Sequence, residues 1–189
     1  MKRHVLTIFS LLVLAAAAYP VDLSINAGLL FGLRMASNSD ISDVYGSGLV
    51  LFPQVSVNFM KFVTVGVGYE MGFPQTGKIG TFEEDATLKL SGIEIFAGVQ
   101  YPLKMLTPYL AVGVGFYSYN QTVDSPYALE VDDSQMGLRV AGGVKFYPLG
   151  NVFVALEAKF VALTVKPYDD DVNLGGLRFC LGVGYTFKL

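Results

Sequence analysis

Histidine and cysteine are almost missing from this chain, with one of each in 189 residues, His4 and Cys180. A single cysteine excludes an intrachain disulfide. Histidine is the side chain best suited to act as a general base near neutral pH, and His4 lies in an N-terminal segment expected to be removed. Cys180 sits between Phe179 and Leu181 with no basic partner nearby in sequence. It reads as a small packing residue rather than a nucleophile. A phosphate-binding loop, a spaced metal-ligand motif and a clustered basic patch are missing as well. Neither an enzyme, a cofactor nor a nucleic-acid partner is expected.

Long apolar runs are also scarce. The chain is 52% hydrophobic with a mean hydropathy of +0.49, yet Val5–Ala18 is its one continuous apolar segment. A spanning helix needs about 20 such residues, so this run is too short. Lys2 and Arg3 precede it and Ala15–Ala18 supply small residues for cleavage. Those are the marks of a secretory signal peptide, residues 1–18, leaving a single domain over 19–189. No cysteine follows the run to carry a lipid anchor. A chain this apolar without a spanning helix has one other way to satisfy its backbone in lipid, a closed β-barrel.

What is present in abundance is period-two alternation. In the C-terminal stretch 174–189, Leu177, Phe179, Leu181, Val183, Tyr185, Phe187 and Leu189 share one face. Arg178, Cys180, Gly182, Gly184, Thr186 and Lys188 share the other. A strand with one bulky apolar face and one small or polar face follows. The same pattern recurs from Asp22 to Arg34, with Leu30 out of phase, and over 48–59, 62–73, 87–101, 107–119, 135–147 and 152–166, although in 87–101 the phase is ambiguous near Ser91–Gly92 and Lys89 falls on the apolar face. Pro53 falls on the apolar face of the second segment, where a bulge or kink is expected. Between the segments lie polar loops at 35–47, 74–86, 120–134 and 167–173, alternating with tight turns. Eight strands of this length suffice to cross a bilayer, where a tilted strand needs about 9–11 residues.

This rhythm resembles the small eight-stranded bacterial outer-membrane barrels: the OmpA membrane domain, OmpX, OmpW and the opacity proteins. The final strand resembles the insertion strand of that group, although it ends in Leu189 where the group usually ends in Phe. The resemblance implies an all-β, closed, eight-stranded antiparallel up-and-down transmembrane barrel in an outer membrane. It implies contact with outer-membrane lipid, assembly by the barrel-assembly machinery through the C-terminal strand, and a monomer. Chain parity then puts both termini in the periplasm and the four long loops outside the cell.

The charges sort onto these faces. Twelve of the 16 acidic residues fall in the long loops, where Lys78 is the single clear base. Glu70, Glu94 and Glu157 fall on the non-lipid faces, as do Arg34, Arg139, Lys145, Lys159, Arg178 and Lys188. Eight strands enclose just enough room for side chains to fill the interior. Opposed charges there are expected to form a paired plug rather than an ion pathway, with Glu70, Glu94, Arg139, Lys145, Glu157, Lys159 and Arg178 as its members. In the loops, Glu83, Glu84, Asp85, Asp132, Asp133, Asp169, Asp170 and Asp171 are candidate ligands for divalent cations, which favour oxygen. Their spacing matches no calcium loop, and solvated surface is the simpler reading.

Three functional readings remain open. One is a structural or surface-interaction barrel with acidic loops that favour a cationic or cation-bridged partner. A second is an OmpW-like narrow conduit for small hydrophobic solutes, to which Pro53, Phe52 and Leu30 lend some support. The third is a soluble lipocalin-like carrier, which would require the bulky face to point inward and the glycine-rich face outward.

Overall fold

The computed structural model describes residues 22–79, 83–123, 129–165 and 172–189. The expected signal peptide 1–18, Asp124 and Asp169–Asp171 lie outside these residues. Eight long strands carry the architecture: β1 (Leu23–Ala36), β2 (Gly48–Phe59), β3 (Val63–Gly72), β5 (Glu84–Gln100), β6 (Leu106–Val123), β7 (Leu129–Leu149), β8 (Val152–Ala162) and β11 (Gly176–Lys188). Each pairs antiparallel with its chain neighbour, β1 pairs with β11, and β3 pairs with β5, so the sheet closes on itself. Shorter pieces ride on this barrel: helix α1 (Ser39–Tyr45), strand β4 (Gln75–Ile79), and the small ladder of β9 (Thr164–Val165) with β10 (Val172–Asn173). No helix among the described residues is long and apolar enough to span a membrane.

The alternation decides which way each side chain points. Leu110, Val112, Leu181 and Val183 stand on the outer wall, each more than half exposed, among a ring of exposed apolar counterparts around the barrel. Val154 shares that outer face of β8. The small and polar sets point inward. Two consecutive residues with positive φ, Met60 and Lys61, form the turn between β2 and β3. This left-handed pair matches the twist of the flanking strands, which is why two residues suffice. Bulk on the outer wall and charge within rule out the soluble-carrier arrangement.

Pro53 produces no bulge. The register of β2 against β3 is the same on either side of it, Val50↔Gly72 and Gln54↔Gly68. Only the rungs at Phe52 and Pro53 are missing, as expected of a residue that lacks an N–H. The bulge lies instead at Phe73–Pro74. Met71 pairs with Ser91 and Gln75 with Leu88, so four steps on one strand oppose three on the other. A one-residue slip moves a side chain to the opposite face. Phe73 points outward, whereas Gln75 is buried inside.

Two of the expected loops are mostly strand. β4 and the start of β5 occupy most of 74–86, while β6 and β7 run well into 120–134 and pair from Val123↔Leu129 downward. Lys78 pairs across the ladder with Asp85, and Asn120 with Asp132. A barrel wall can extend beyond the apolar belt because the backbone ladder does not depend on the polarity of its side chains. Alternating hydrophobicity marks only the part that faces lipid. In the 35–47 segment, α1 is capped by Asn38, whose side chain accepts from the Asp40 N–H at 2.8 Å.

Candidate functional site

Halfway along the barrel, six ionised side chains from five strands form a chain of alternating sign across the lumen: Arg178, Glu70, Lys159, Glu94, Arg139, Glu157. Arg178 donates to Glu70 Oε1 from Nε at 3.3 Å and from NH2 at 3.2 Å. Lys159 Nζ bridges Glu70 Oε2 at 2.6 Å and Glu94 Oε1 at 2.7 Å. Arg139 NH1 donates to Glu94 Oε2 at 2.7 Å, and its NH2 lies 3.6 Å from Glu157 Oε1. Tyr117 donates to Glu94 Oε1 at 2.6 Å and Tyr109 to Glu157 Oε2 at 2.9 Å. The side chains of these ion pairs are at most 1% exposed. Charges so far from water persist only when paired and hydrogen-bonded.

Aromatic faces supply the rest of their surroundings. Lys159 Nζ lies 4.0 Å from the Phe52 ring centroid, and the Arg139 guanidinium lies 4.4 Å from that of Phe96. Both distances suit cation–π attraction. Phe52 can reach this position because Gly68 has no side chain. A Cβ there would come within 2.3 Å of the ring.

Three acids and three bases make the chain neutral, which leaves two further inward cations. Lys145, toward the tight-turn end, donates to Gln100 Oε1 at 3.3 Å and lies over the Tyr109 ring at 5.3 Å. It forms no ion pair with a carboxylate among the described residues, unlike the other six members expected of the plug. Arg34, toward the long-loop end, donates from NH2 to Gln75 Oε1. Gln75 in turn donates from Nε2 to the carbonyls of Tyr45 and Gly46 at 3.2 and 3.3 Å. The alternation identified Arg34 as inward. Gln75 was missed because the slip at Phe73–Pro74 places it out of phase, and Pro74 was the only available signal. Lys188 also departs from expectation, since it is exposed at the rim of the barrel.

Above the ion chain, beside the Arg34–Gln75 pair, the lumen is filled mainly by apolar side chains. Leu88, Leu90, Tyr117, Tyr119, Val161, Leu163 and Leu174 form one buried cluster with Tyr45, against which Ile41 and Val44 of α1 are packed. Helix α1 therefore caps the outer end of the lumen with its apolar side. Gln121 Nε2 donates to the Tyr45 hydroxyl at 2.9 Å. Burial raises the Tyr45 pKa above its ordinary value, and that hydrogen bond opposes the shift.

The candidate cation ligands do not converge. Glu83 pairs with Lys78 at 3.3 Å. Glu84 and Asp85 stand on β5, and Asp132 and Asp133 on β7, as part of the strands rather than loops. Asp133 accepts from the Gln135 side chain and the Ser134 N–H, which lower its pKa. No group of three or more His, Cys, Asp or Glu side chains among the described residues could hold a metal ion. Cys180 is buried in the lumen beside Leu30, Val50 and Phe52.

A closed eight-stranded barrel with an apolar outer wall and a charged interior belongs in lipid, and comparison with known proteins agrees. Residues 5–187 match the family described as outer membrane protein beta-barrel domain. The chain belongs to that family. The protein is therefore an outer-membrane barrel, with its tight turns toward the periplasm and its longer connections outward. Among solved structures, outer membrane protein OprG of Pseudomonas aeruginosa is similar at 12% identity and TM-score 0.59, covering 89% of this chain and 97% of that one. Ail, the attachment invasion locus protein of Yersinia pestis, is similar at 15% identity and TM-score 0.56, covering 88% and 99%. Neisserial surface protein A is similar at 16% identity and TM-score 0.53, covering 89% and 100%. At such identities the likeness concerns the fold. No curated protein matches the sequence.

Proposed function

We propose that this outer-membrane barrel is a non-enzymatic surface protein whose lumen is shut and whose outward rim makes its contacts. The observation that carries this reading is the unbroken chain of ion pairs from Arg178 to Glu157, with the apolar cluster and α1 stacked above it. A lumen filled in this way offers a solute no continuous path. What the outward end presents to solvent is acidic: Asp40 and Asp43 on α1, Glu84 and Asp85 on β5, Asp132 and Asp133 on β7. Such a rim attracts cationic partners, directly or with a cation held between acids, and salt screens the attraction. Ail has been crystallised with a heparin analogue, sucrose octasulfate. A polyanion of that kind would be repelled here. The protein works as a monomer in outer-membrane lipid, and β11 serves as the segment read by the assembly machinery.

The test is adhesion of intact cells to immobilised cationic peptide and to heparin. A variant with Glu84→Gln, Asp85→Asn, Asp132→Asn and Asp133→Asn should lose most salt-sensitive attachment to the peptide while keeping heat-resistant barrel migration on gels. Undiminished attachment by that variant would remove the rim from the function.

A narrow conduit for small apolar solutes is the second reading, favoured by one feature. The missing β2–β3 rungs at Phe52 and Pro53 weaken the wall beside the lumen. The conduit also requires α1, with Ile41, Val44 and Tyr45, to lift away from the apolar cluster. Vesicles carrying the protein would then take up a fluorescent apolar solute faster than empty ones, and equal rates would remove this reading.

A further inference from the structure

Lys89 is a charged side chain on the lipid-side face of the barrel wall. On β5 it shares the outward face with Ile93 and Ile95, it is exposed, and only Ser91 separates it from the apolar belt on that face. Beside it lies a cleft of about 270 Å³, lined on one side by Leu51, Tyr69, Met71 and Phe73 and on the other by Lys89 and Ser91. The slip at Phe73–Pro74 opens this space. The β3–β5 ladder ends at Met71↔Ser91, and β4 resumes it at Gln75↔Leu88. In between, the Phe73 N–H turns away to the Leu49 carbonyl of β2 at 3.0 Å, and Pro74 has no N–H to donate.

The protein does not neutralise this lysine. Among the described residues Lys89 has no ion pair, and Ser91 has no side-chain hydrogen bond. Across the β5–β6 ladder Lys89 faces the neutral Asn120, and Asp132 stands one strand further on. Asp85 lies four residues along β5, a distance of about 13 Å in a strand. Lys78, another exposed lysine at this end, differs, because Glu83 pairs with it at 3.3 Å. With the tight turns toward the periplasm, this end of β5 meets the outer leaflet. A lone cation at the edge of an apolar cleft complements an amphiphile, with an acid head above a hydrocarbon chain.

We infer that this cleft is a binding site for one phosphate-bearing lipid of the outer leaflet. Lys89 meets the phosphate, Ser91 donates its hydroxyl to a phosphate or ester oxygen, and an acyl chain lies along Leu51, Tyr69 and Met71. The bilayer decides the source of the phosphate. One exposed lysine holds a free anion only weakly. A lipid is already confined at this depth, so the same contact acts on a head group held at high effective concentration. Depth also decides the kind of anion, since phosphate is the acidic group that charged phospholipids share. The site lies below the acidic rim and is opposite to it in sign, so it does not depend on adhesion there.

The test places the barrel in phosphatidylcholine nanodiscs, raises phosphatidylglycerol stepwise and follows backbone amide NMR. Saturable shifts are expected at Met71, Phe73, Lys89 and Ser91, with none there from inorganic phosphate in pure phosphatidylcholine. Lys89→Gln should raise the half-saturating fraction of phosphatidylglycerol about fivefold, because one charge near the membrane surface is lost. Lys89→Arg should restore it. Lys78→Gln removes a charge of the same sign at the same end and should bind as the native chain does. Both lysines are exposed, so these variants should keep heat-resistant migration on gels. Shifts that grow with phosphatidylglycerol without saturating would reveal general surface attraction and overturn the site. Unchanged half-saturation in Lys89→Gln, or equal weakening by Lys78→Gln, would overturn it as well. Shifts of the same amides by inorganic phosphate would overturn the lipid as its ligand.

Discussion

Arg34 and Arg178 face each other directly across the β1–β11 ladder, two like charges on one rung inside the barrel. Like charges placed opposite each other are destabilising, and each is relieved by a different partner. Arg178 turns to Glu70 and to the Gly176 carbonyl, the latter at 2.8 Å. Among the described residues Arg34 hydrogen-bonds to the neutral Gln75. Gln75 thus connects the charged lumen to the cap, since its other end holds the carbonyls of Tyr45 and Gly46.

Replacing Gln75 should accordingly act at two places. Gln75→Ala leaves the buried Arg34 without its acceptor and is expected to destabilise the barrel by about 1–3 kcal/mol. Amide hydrogen exchange over 39–46 should rise at the same time. Gly48→Ala should reproduce much of this, because a Cβ there would come within 2.6 Å of the Gln75 amide group. The two effects should be clearly non-additive in urea titrations of the double variant. Additive losses would show that Gly48 acts elsewhere.

Glu94 is the centre of the ion chain, holding Lys159, Arg139 and Tyr117 at once. Glu94→Gln removes one charge from between two buried cations and is expected to cost about 3–5 kcal/mol in reversible unfolding from lipid vesicles. The native protein should give no stable conductance steps in a planar bilayer. Large, reproducible steps from the native chain would show that the chain of ion pairs does not close the lumen.

The outer wall and the interior should respond differently to substitution. Arginine at Val112 or Leu181 is expected to destabilise by about 2–4 kcal/mol where the position is near the bilayer midplane. Gly113 faces inward, and a Cβ there would come within 2.2 Å of the Ile95 carbonyl. Even Gly113→Ala should therefore impair assembly, because the atom in the way is backbone and cannot move aside. Normal heat-resistant migration of that variant would contradict this register.

The cap should be sensitive to alkali. The buried Tyr45 hydroxyl has a pKa above the ordinary tyrosine value of about 10. An undocked Tyr45 therefore loses its proton first, so docking of α1 is fully stable below about pH 10 and weakens above it. A spin label on Asp43→Cys should gain mobility over that range. Tyr45→Phe should flatten the response, and an equal response in that variant would assign it to another group.

Much of this protein was determined by its sequence alone. Strict alternation through eight segments specified the strands and their inward and outward faces, since a period of two leaves no other geometry that hides bulk in lipid and charge from it. It placed Glu70, Glu94, Glu157, Arg139, Lys159 and Arg178 in one lumen, although not in their order. The partners of each ion depend on stagger between strands, and stagger is set by ladder register and closure. Closure also left Lys145 with a neutral partner. The one-residue slip at Phe73–Pro74 turned Gln75 inward and so attached the cap. The strand ends beyond the membrane carried no alternation to reveal them, because there a side chain meets water on either face and only the backbone ladder specifies a strand.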